Sequence, residues 1–182
     1  MRLFAISGSL RRGSYNTALL DAAAAECPTG VEFVIWRGLA DVPAYDEDID
    51  VTPAPRPVAA LRAEIEQADA LLIATPEYNA SIPGALKNAL DWASRPYSAN
   101  PLRYKRAAVI GASTGLFGAV WAQAELRKVL TTMGASVLEA GLSVPGAHSA
   151  FTTEGRLREP ELSLALRRII HELVEETVER AA

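Results

Sequence analysis

The chain of 182 residues has one cysteine, Cys27, so it cannot close a disulfide within itself. That agrees with a reducing compartment, and we expect a cytoplasmic protein. Two histidines beside that cysteine leave too few nitrogen and sulfur ligands for an ordinary zinc site. No apolar run reaches the ~18 residues that a membrane-spanning helix needs. The short apolar start is interrupted by Arg11 and Arg12, which does not suit a signal peptide. Positive charge is also in short supply. Lys and Arg number 18 against 22 Asp and Glu, a net charge of -4, whereas a general nucleic-acid binder usually carries the opposite sign. Two familiar phosphate signatures are missing. No lysine follows Gly13, so there is no Walker loop, and Gly8 is followed by Ser9 and Leu10, which breaks G-x-G-x-x-G. The remaining composition, 49% hydrophobic and 22% charged, is that of a globular protein, and the length suits one domain over residues 1–182.

Hydrophobic runs alternate in kind along the chain. Arg2–Ser7, Val31–Trp36, Ala70–Thr75, Ala107–Gly111 and Ser136–Val144 read as strands. The first, third and fourth are almost continuously apolar, as central parallel strands covered on both faces must be. Helical spacing lies between them: from Ser14 or Tyr15 to about Glu26, then Val58–Ala68, Gly84–Ala93, Gly118–Met133 and Glu161–Arg180. Proline-rich Thr52–Pro57 reads as a loop leading into a helix, and Gly146–Glu159 as an irregular surface loop. Strand and helix in alternation imply an α/β domain. Five units fit a flavodoxin-like three-layer sandwich, a parallel sheet in the order 2-1-3-4-5 with helices on both faces. Ligands of such sheets sit beyond the carboxyl ends of the strands, where the winding reverses, here between strands one and three.

Three unusual segments therefore converge on one place. "SGSLRRGSYN" follows strand one and feeds a helix, whose first N–H groups are unsatisfied and attract anions. Ser9, Ser14 and Asn16 add donors, Arg11 adds a forked permanent charge, and Gly8 and Gly13 allow tight turns. "TPEYNASIPG" follows strand three. Tyr78 can cover a flat ring, and backbone groups from Glu77 to Asn79 can bond its polar edge. "GASTGLFG" follows strand four. Within the next helix, Trp92 reads as core, and Lys87 with Asp91 as a solvated i,i+4 pair.

"GSLRRGSYN", "PEYNASIPGALKNALDWASR" and "GASTGLFG", in this order, resemble the NADPH-dependent FMN reductase family, with its quinone and chromate reductases as the nearest branch. The resemblance covers nearly the whole chain, including "LADVPAYDEDID". It implies a non-covalent FMN, with NADPH or NADH as co-substrate. Ser9, Arg11, Ser14 and Asn16 would hold the phosphate, with Tyr15 among the cofactor-binding residues. Pro76, Glu77, Tyr78 and Asn79 would line the isoalloxazine, and Ser113, Thr114 and Gly115 its pyrimidine edge. Hydride would pass to the flavin N5 and on to a small-molecule acceptor in ping-pong fashion, without a dedicated acid–base pair. The acceptors include quinones, free flavin, azo compounds and chromate. The family also implies a homodimer or homotetramer with flavin sites near subunit contacts. Asp46-Glu47-Asp48 reads as a solvated loop, with a reach towards a partner's site as the alternative, and Arg95 and Arg103 as basic candidates for a 2′-phosphate.

Two other readings stand beside this one. An FMN electron carrier would share the fold, though such carriers are usually far more acidic. Gly111–Gly115 also matches G-x-S-x-G, the nucleophile elbow of α/β-hydrolases, with Ser113, Glu139 and His148 in the order serine, acid, histidine. That reading leaves Arg11 and Tyr78 without a purpose, and the chain is short for the hydrolase fold.

Overall fold

The computed structural model describes residues 1–181, with side chains described through Val178. Strands β1 (Arg2–Ser7), β2 (Glu32–Trp36), β3 (Ala70–Ala74), β4 (Arg106–Ala112) and β5 (Ser136–Val144) alternate with helices α1 (Tyr15–Ala25), α2 (Arg56–Gln67), α3 (Gly84–Ala93), α4 (Val120–Thr132) and α5 (Pro160–Ala181). The strands form one parallel sheet in the order β2-β1-β3-β4-β5. The expected flavodoxin-like architecture is therefore the observed one.

Alternation along each central strand builds two apolar layers. Leu3 and Ala5 of β1 face Leu19 and Leu20 of α1 and Ile169, Ile170 and Leu173 of α5. Phe4 and Ile6 face the opposite way, with Leu61 and Ile65 of α2, Leu86 and Leu90 of α3 and Leu126 and Leu130 of α4. Each buried Leu or Ile contributes about 1.5–3 kcal/mol. Trp92 is fully buried, as its helical position suggested, and its indole N–H donates to the Pro43 carbonyl at 2.8 Å. Lys87 and Asp91 form the expected i,i+4 pair, at 2.6 Å.

The element limits differ from expectation where the backbone leaves no choice. The fourth helix starts at Val120 rather than Gly118, because Gly118 (φ 58°) and Ala119 (φ 67°) are left-handed and cannot belong to a right-handed helix. The second starts at Arg56 rather than Val58. Pro57 sits in its first turn, where the fixed φ of proline suits a helix, so the preceding loop is shorter than Thr52–Pro57. Strand β2 begins at Glu32, one residue after Val31, β3 ends before Thr75, and β4 gains Arg106 and Ala112. Gly146–Glu159 is more ordered than an irregular loop: Phe151 bridges Leu157, and Ala147 and Leu157 are buried in the α1–α5 layer.

Candidate active site

Strands β1, β3 and β4 end side by side. Ser7 is level with Ala74, and Ala74 with Ile110. The chain then leaves the sheet in register: the Gly8 N–H donates to the Ala74 carbonyl at 2.8 Å, and the Thr75 N–H to the Ile110 carbonyl at 2.9 Å. Gly8 lets these loops meet, since a Cβ there would lie 3.0 Å from Leu86 Cδ2 and 3.2 Å from Pro76 Cδ. Between the loops lies a cavity of about 290 Å³. Ser9, Arg11, Ser14, Tyr15 and Asn16 line it from the first loop, Pro76, Glu77 and Tyr78 from the second, and Ala112, Ser113 and Thr114 from the third.

The first loop has the geometry an anion cradle needs. Ser14 caps α1, its Oγ accepting the Thr17 N–H at 3.2 Å. The backbone N–H groups of residues 12–16 meet no acceptor among the described residues, so they point their partial charge outward at the helix start. The Arg11 guanidinium lies 4.7 Å from the centre of the Tyr15 ring, and Tyr15 stacks on Phe151 at 6.5 Å. That ladder of flat groups restrains the arginine beside the cradle. Gly13 meets only Arg11 Nη1, at 3.8 Å from a Cβ placed there, so no protein contact demands a glycine at that position.

Asn16 does something other than the motif suggested. It is buried, its Oδ1 accepts the Ala112 N–H at 2.9 Å, and its Nδ2 donates to the Ala112 carbonyl at 3.0 Å. The side chain thus clamps the first loop to the end of β4. Its remaining N–H and its backbone amide are what it has left for an anion.

The second loop presents Tyr78, which is 52% exposed, as an open platform. A tight turn fixes it: the Tyr78 N–H donates to the Ser81 carbonyl at 3.0 Å, and the Ser81 N–H to the Tyr78 carbonyl at 3.1 Å. Asn79 (φ 53°) and Ala80 (φ 58°) occupy the left-handed corner positions of that turn. Asn79 consequently falls outside the cavity lining, as does Gly115 of the third loop, whose N–H donates to Ser113 Oγ at 3.2 Å. The Glu77 carboxylate is engaged elsewhere: one oxygen accepts the N–H groups of Trp121 at 3.0 Å and Ala122 at 3.1 Å. Glu77 thereby caps α4, whose own N-cap residue Ala119 has no capping side chain. Gly118 is required just before it, since a Cβ there would lie 2.6 Å from the Val144 nitrogen.

Sequence reasoning missed Ala112 as a lining residue. A methyl side chain carries no chemical signal, and only the Asn16 clamp marks the position.

The serine-hydrolase arrangement is not assembled. Ser113 precedes α4 by a loop rather than sitting on a strand-to-helix elbow, and its Oγ accepts from Gly115. Glu139 and His148 are both exposed, and among the described residues no hydrogen bond joins either to Ser113. Asp46, Glu47 and Asp48 lie exposed around a short 3-10 turn, as a solvated loop would. Arg103 folds over Tyr97, 4.6 Å from its ring centre, and Arg95 lies 5.9 Å from that of Tyr45.

A doubly wound sheet with an anion cradle after β1 and an aromatic wall after β3 defines a flavodoxin-like mononucleotide-binding protein. Within that class, the chain belongs to the NADPH-dependent FMN reductase family, whose model matches residues 1–149. It is 43% identical over 158 residues to an NAD(P)H-dependent FMN reductase of Pseudomonas aeruginosa, covering 86% of this chain and 84% of that one. It is also 43% identical over 129 residues to a 2-hydroxy-1,4-benzoquinone reductase of a Burkholderia species, covering 71% and 69%. Its structure superposes on FerB, a flavoenzyme NAD(P)H:(acceptor) oxidoreductase from Paracoccus denitrificans, with a TM-score of 0.89, 34% identity and coverage of 98% and 97%. The chain is thus an oxidoreductase of a family that works with FMN and NAD(P)H. The unpartnered amides of the first loop, at a helix start beside Arg11, suit the terminal phosphate of FMN. The open Tyr78 platform suits its flat ring.

Proposed function

We propose that residues 1–182 form one FMN-binding domain that oxidises NADPH or NADH and reduces small-molecule acceptors, quinones foremost, with free flavin, azo compounds and chromate as further candidates. The observation that carries this reading is a cavity whose lining combines Ser14, Tyr15 and Asn16, with their unpartnered backbone amides, and the exposed Tyr78 platform. When bound, the flavin takes a hydride from the nicotinamide and returns the electrons to the acceptor. The chain's own part is placement. The amides of residues 12–16, with Ser9, Ser14 and Arg11, neutralise the phosphate. Pro76, Glu77 and Tyr78 shape the ring wall, where the backbone N–H of Glu77 has no acceptor among the described residues and is left to bond a ring edge. Ser113 and Thr114 close the opposite edge, held in position by the Asn16–Ala112 clamp. Asn79 and Gly115 act through the turns they form.

The open face of the cavity leaves nicotinamide and acceptor to use the same place in turn, so the kinetics should be ping-pong. We further read the protein as a cytoplasmic homodimer or homotetramer. Among the described residues no helix is long and apolar enough to cross a membrane. Stopped-flow absorbance tests the central claim. NADPH or NADH should bleach the bound flavin in one phase, and a quinone added afterwards should restore the colour. A flavin that neither nucleotide reduces defeats the reading.

A further inference from the structure

The segment between β5 and α5 touches two of the three loops that line the cavity. At its start the Gly146 N–H donates to the Gly115 carbonyl at 3.2 Å, and the Ala147 N–H to the Ser113 carbonyl at 3.0 Å, which fastens it to the third loop. It then folds back on itself. The Thr152 N–H donates to the Arg156 carbonyl at 2.8 Å, and the Arg158 N–H to the Ala150 carbonyl at 2.9 Å. Phe151 bridges Leu157 within this hairpin, while buried Ala147 and Leu157 anchor it in the core. The Phe151 ring packs against the same core and presents a flat face to the first loop. It lies within 3° of parallel to the Tyr15 ring, with the two centres 6.5 Å apart.

Arg11 depends on that tyrosine. Its guanidinium lies 4.7 Å from the Tyr15 ring centre, and among the described residues it meets no carboxylate and makes no side-chain hydrogen bond. The Tyr15 hydroxyl makes no hydrogen bond among them either, so packing alone holds the ring. Arg11 is solvent-exposed. An exposed arginine gives up rotamer freedom when it engages a ligand, and one that is already ordered gives up less.

We propose that Phe151 is a positioning residue for the FMN phosphate, acting through Tyr15 on Arg11. The inference rests on the reading of the first loop as a phosphate cradle. Phe151 itself does not line the cavity. Order passes from the hydrogen-bonded hairpin to Phe151, from there to Tyr15, and so to the guanidinium. One segment thereby sets both the third loop and the arginine of the first. A pair of parallel, offset rings and a cation over a ring each contribute modestly, so the effect on FMN affinity should be about three- to tenfold.

The test uses Phe151→Leu, which keeps a large apolar side chain against the core and removes the flat face. The full chain, stripped of flavin, is titrated with FMN and with riboflavin, which has the same ring and no phosphate. Phe151→Leu should weaken FMN binding by about three- to tenfold and leave riboflavin binding at the parent value. Phe151→Tyr, which restores a flat ring, should return FMN affinity to within about twofold of the parent. In the Arg11→Ala chain, Phe151→Leu should change FMN affinity no further. Coupling is reciprocal, so in the parent FMN should slow hydrogen exchange at the Thr152 and Arg158 amides several-fold more than riboflavin does. That measurement needs no variant.

An equal loss of both ligands in Phe151→Leu overturns the proposal, since it would report general loosening. So does an undiminished loss in the Arg11→Ala chain, a Phe151→Tyr protein no better than Phe151→Leu, or equal protection of the hairpin amides by the two flavins. A parent that prefers FMN to riboflavin, with a preference that Phe151→Leu leaves intact, overturns the positioning alone. A parent that binds both equally well is a different result: it defeats the cradle reading, and the proposal with it.

Discussion

At the scale of single residues, Arg11 is the side chain whose job separates cofactor retention from chemistry. Its guanidinium sits on Tyr15 beside unpartnered amides, which supports the proposal that it holds the FMN phosphate rather than the ring. A charge-assisted hydrogen bond is worth about 1.5–3 kcal/mol, so Arg11→Ala should weaken FMN binding by roughly 10- to 100-fold. Turnover per bound flavin should stay near the parent's. Fluorescence-quench titration of the apoprotein measures the first quantity, and unchanged FMN affinity would show that the cradle has been misassigned. Cys27 gives a second test of local environment. Burial pushes its thiol up to about 11, because the apolar surroundings disfavour the thiolate. At pH 8 the folded protein should react with iodoacetamide at least about tenfold more slowly than in urea, where the thiol titrates near 8.5. The folded rate should keep climbing towards pH 11, and this small stabilising effect of the buried neutral thiol is lost as pH rises through that range. A folded rate equal to the unfolded one at pH 8 contradicts it. Most of the cavity lining was legible at this scale, because Ser9, Arg11 and Tyr78 carry chemistry in their side chains. What Asn16 and Glu77 do was not, because their partners lie 96 and 44–45 residues away in the chain.

Between elements, those same two residues become structural ties. Asn16 joins the start of α1 to the end of β4 through two hydrogen bonds in a buried setting. Asn16→Ala leaves the Ala112 N–H and carbonyl buried without partners, at a cost of about 1–3 kcal/mol for each group so stranded. Urea denaturation of the apoprotein should register a loss of at least ~1 kcal/mol, and a midpoint equal to the parent's would remove the clamp from the account. Glu77 works on a helix terminus. Its carboxylate takes two amides of α4 and also meets the positive end of the helix dipole. Glu77→Ala should therefore lower stability by about 1–2 kcal/mol, and Glu77→Gln by less, because an amide oxygen still accepts but carries no charge. Equal melting temperatures for all three proteins contradict the cap. Element identities were readable because periodicity reports burial directly: β1, β3 and β4 are apolar on both faces only because helices cover both. Element ends were less readable. The true start of α4 depends on the left-handed backbone at Ala119, which nothing in an alanine foretells, and on a carboxylate from a distant loop.

Over the whole molecule, exposed large apolar side chains are unevenly spread. Leu116, which is 86% exposed, and Phe117 lie on the loop that leads into α4, next to Val120 and Trp121 in its first turn, and Phe117 meets Trp121 edge-on at 4.9 Å. Glu77, the neighbour of Tyr78, ties the start of α4 to the second loop through the N–H groups of Trp121 and Ala122. Isolated apolar side chains on a surface need no explanation, but a group of large ones in a single segment is what subunit interfaces use, aromatics above all. The family resemblance implies a homo-oligomer with flavin sites near subunit contacts, and this segment is where a second copy would have most to cover. Sedimentation velocity of the FMN-loaded protein should accordingly give a dimer or tetramer of the 19.5 kDa chain. Leu116→Asp with Trp121→Glu should shift it towards the monomer, since placing unpaired carboxylates in a closed apolar contact costs several kcal/mol. The fold should survive, because both side chains are already substantially exposed in the single chain. A parent that sediments as a monomer at micromolar concentration rejects the oligomer, and a doubly substituted protein that keeps the parent's size moves the interface elsewhere.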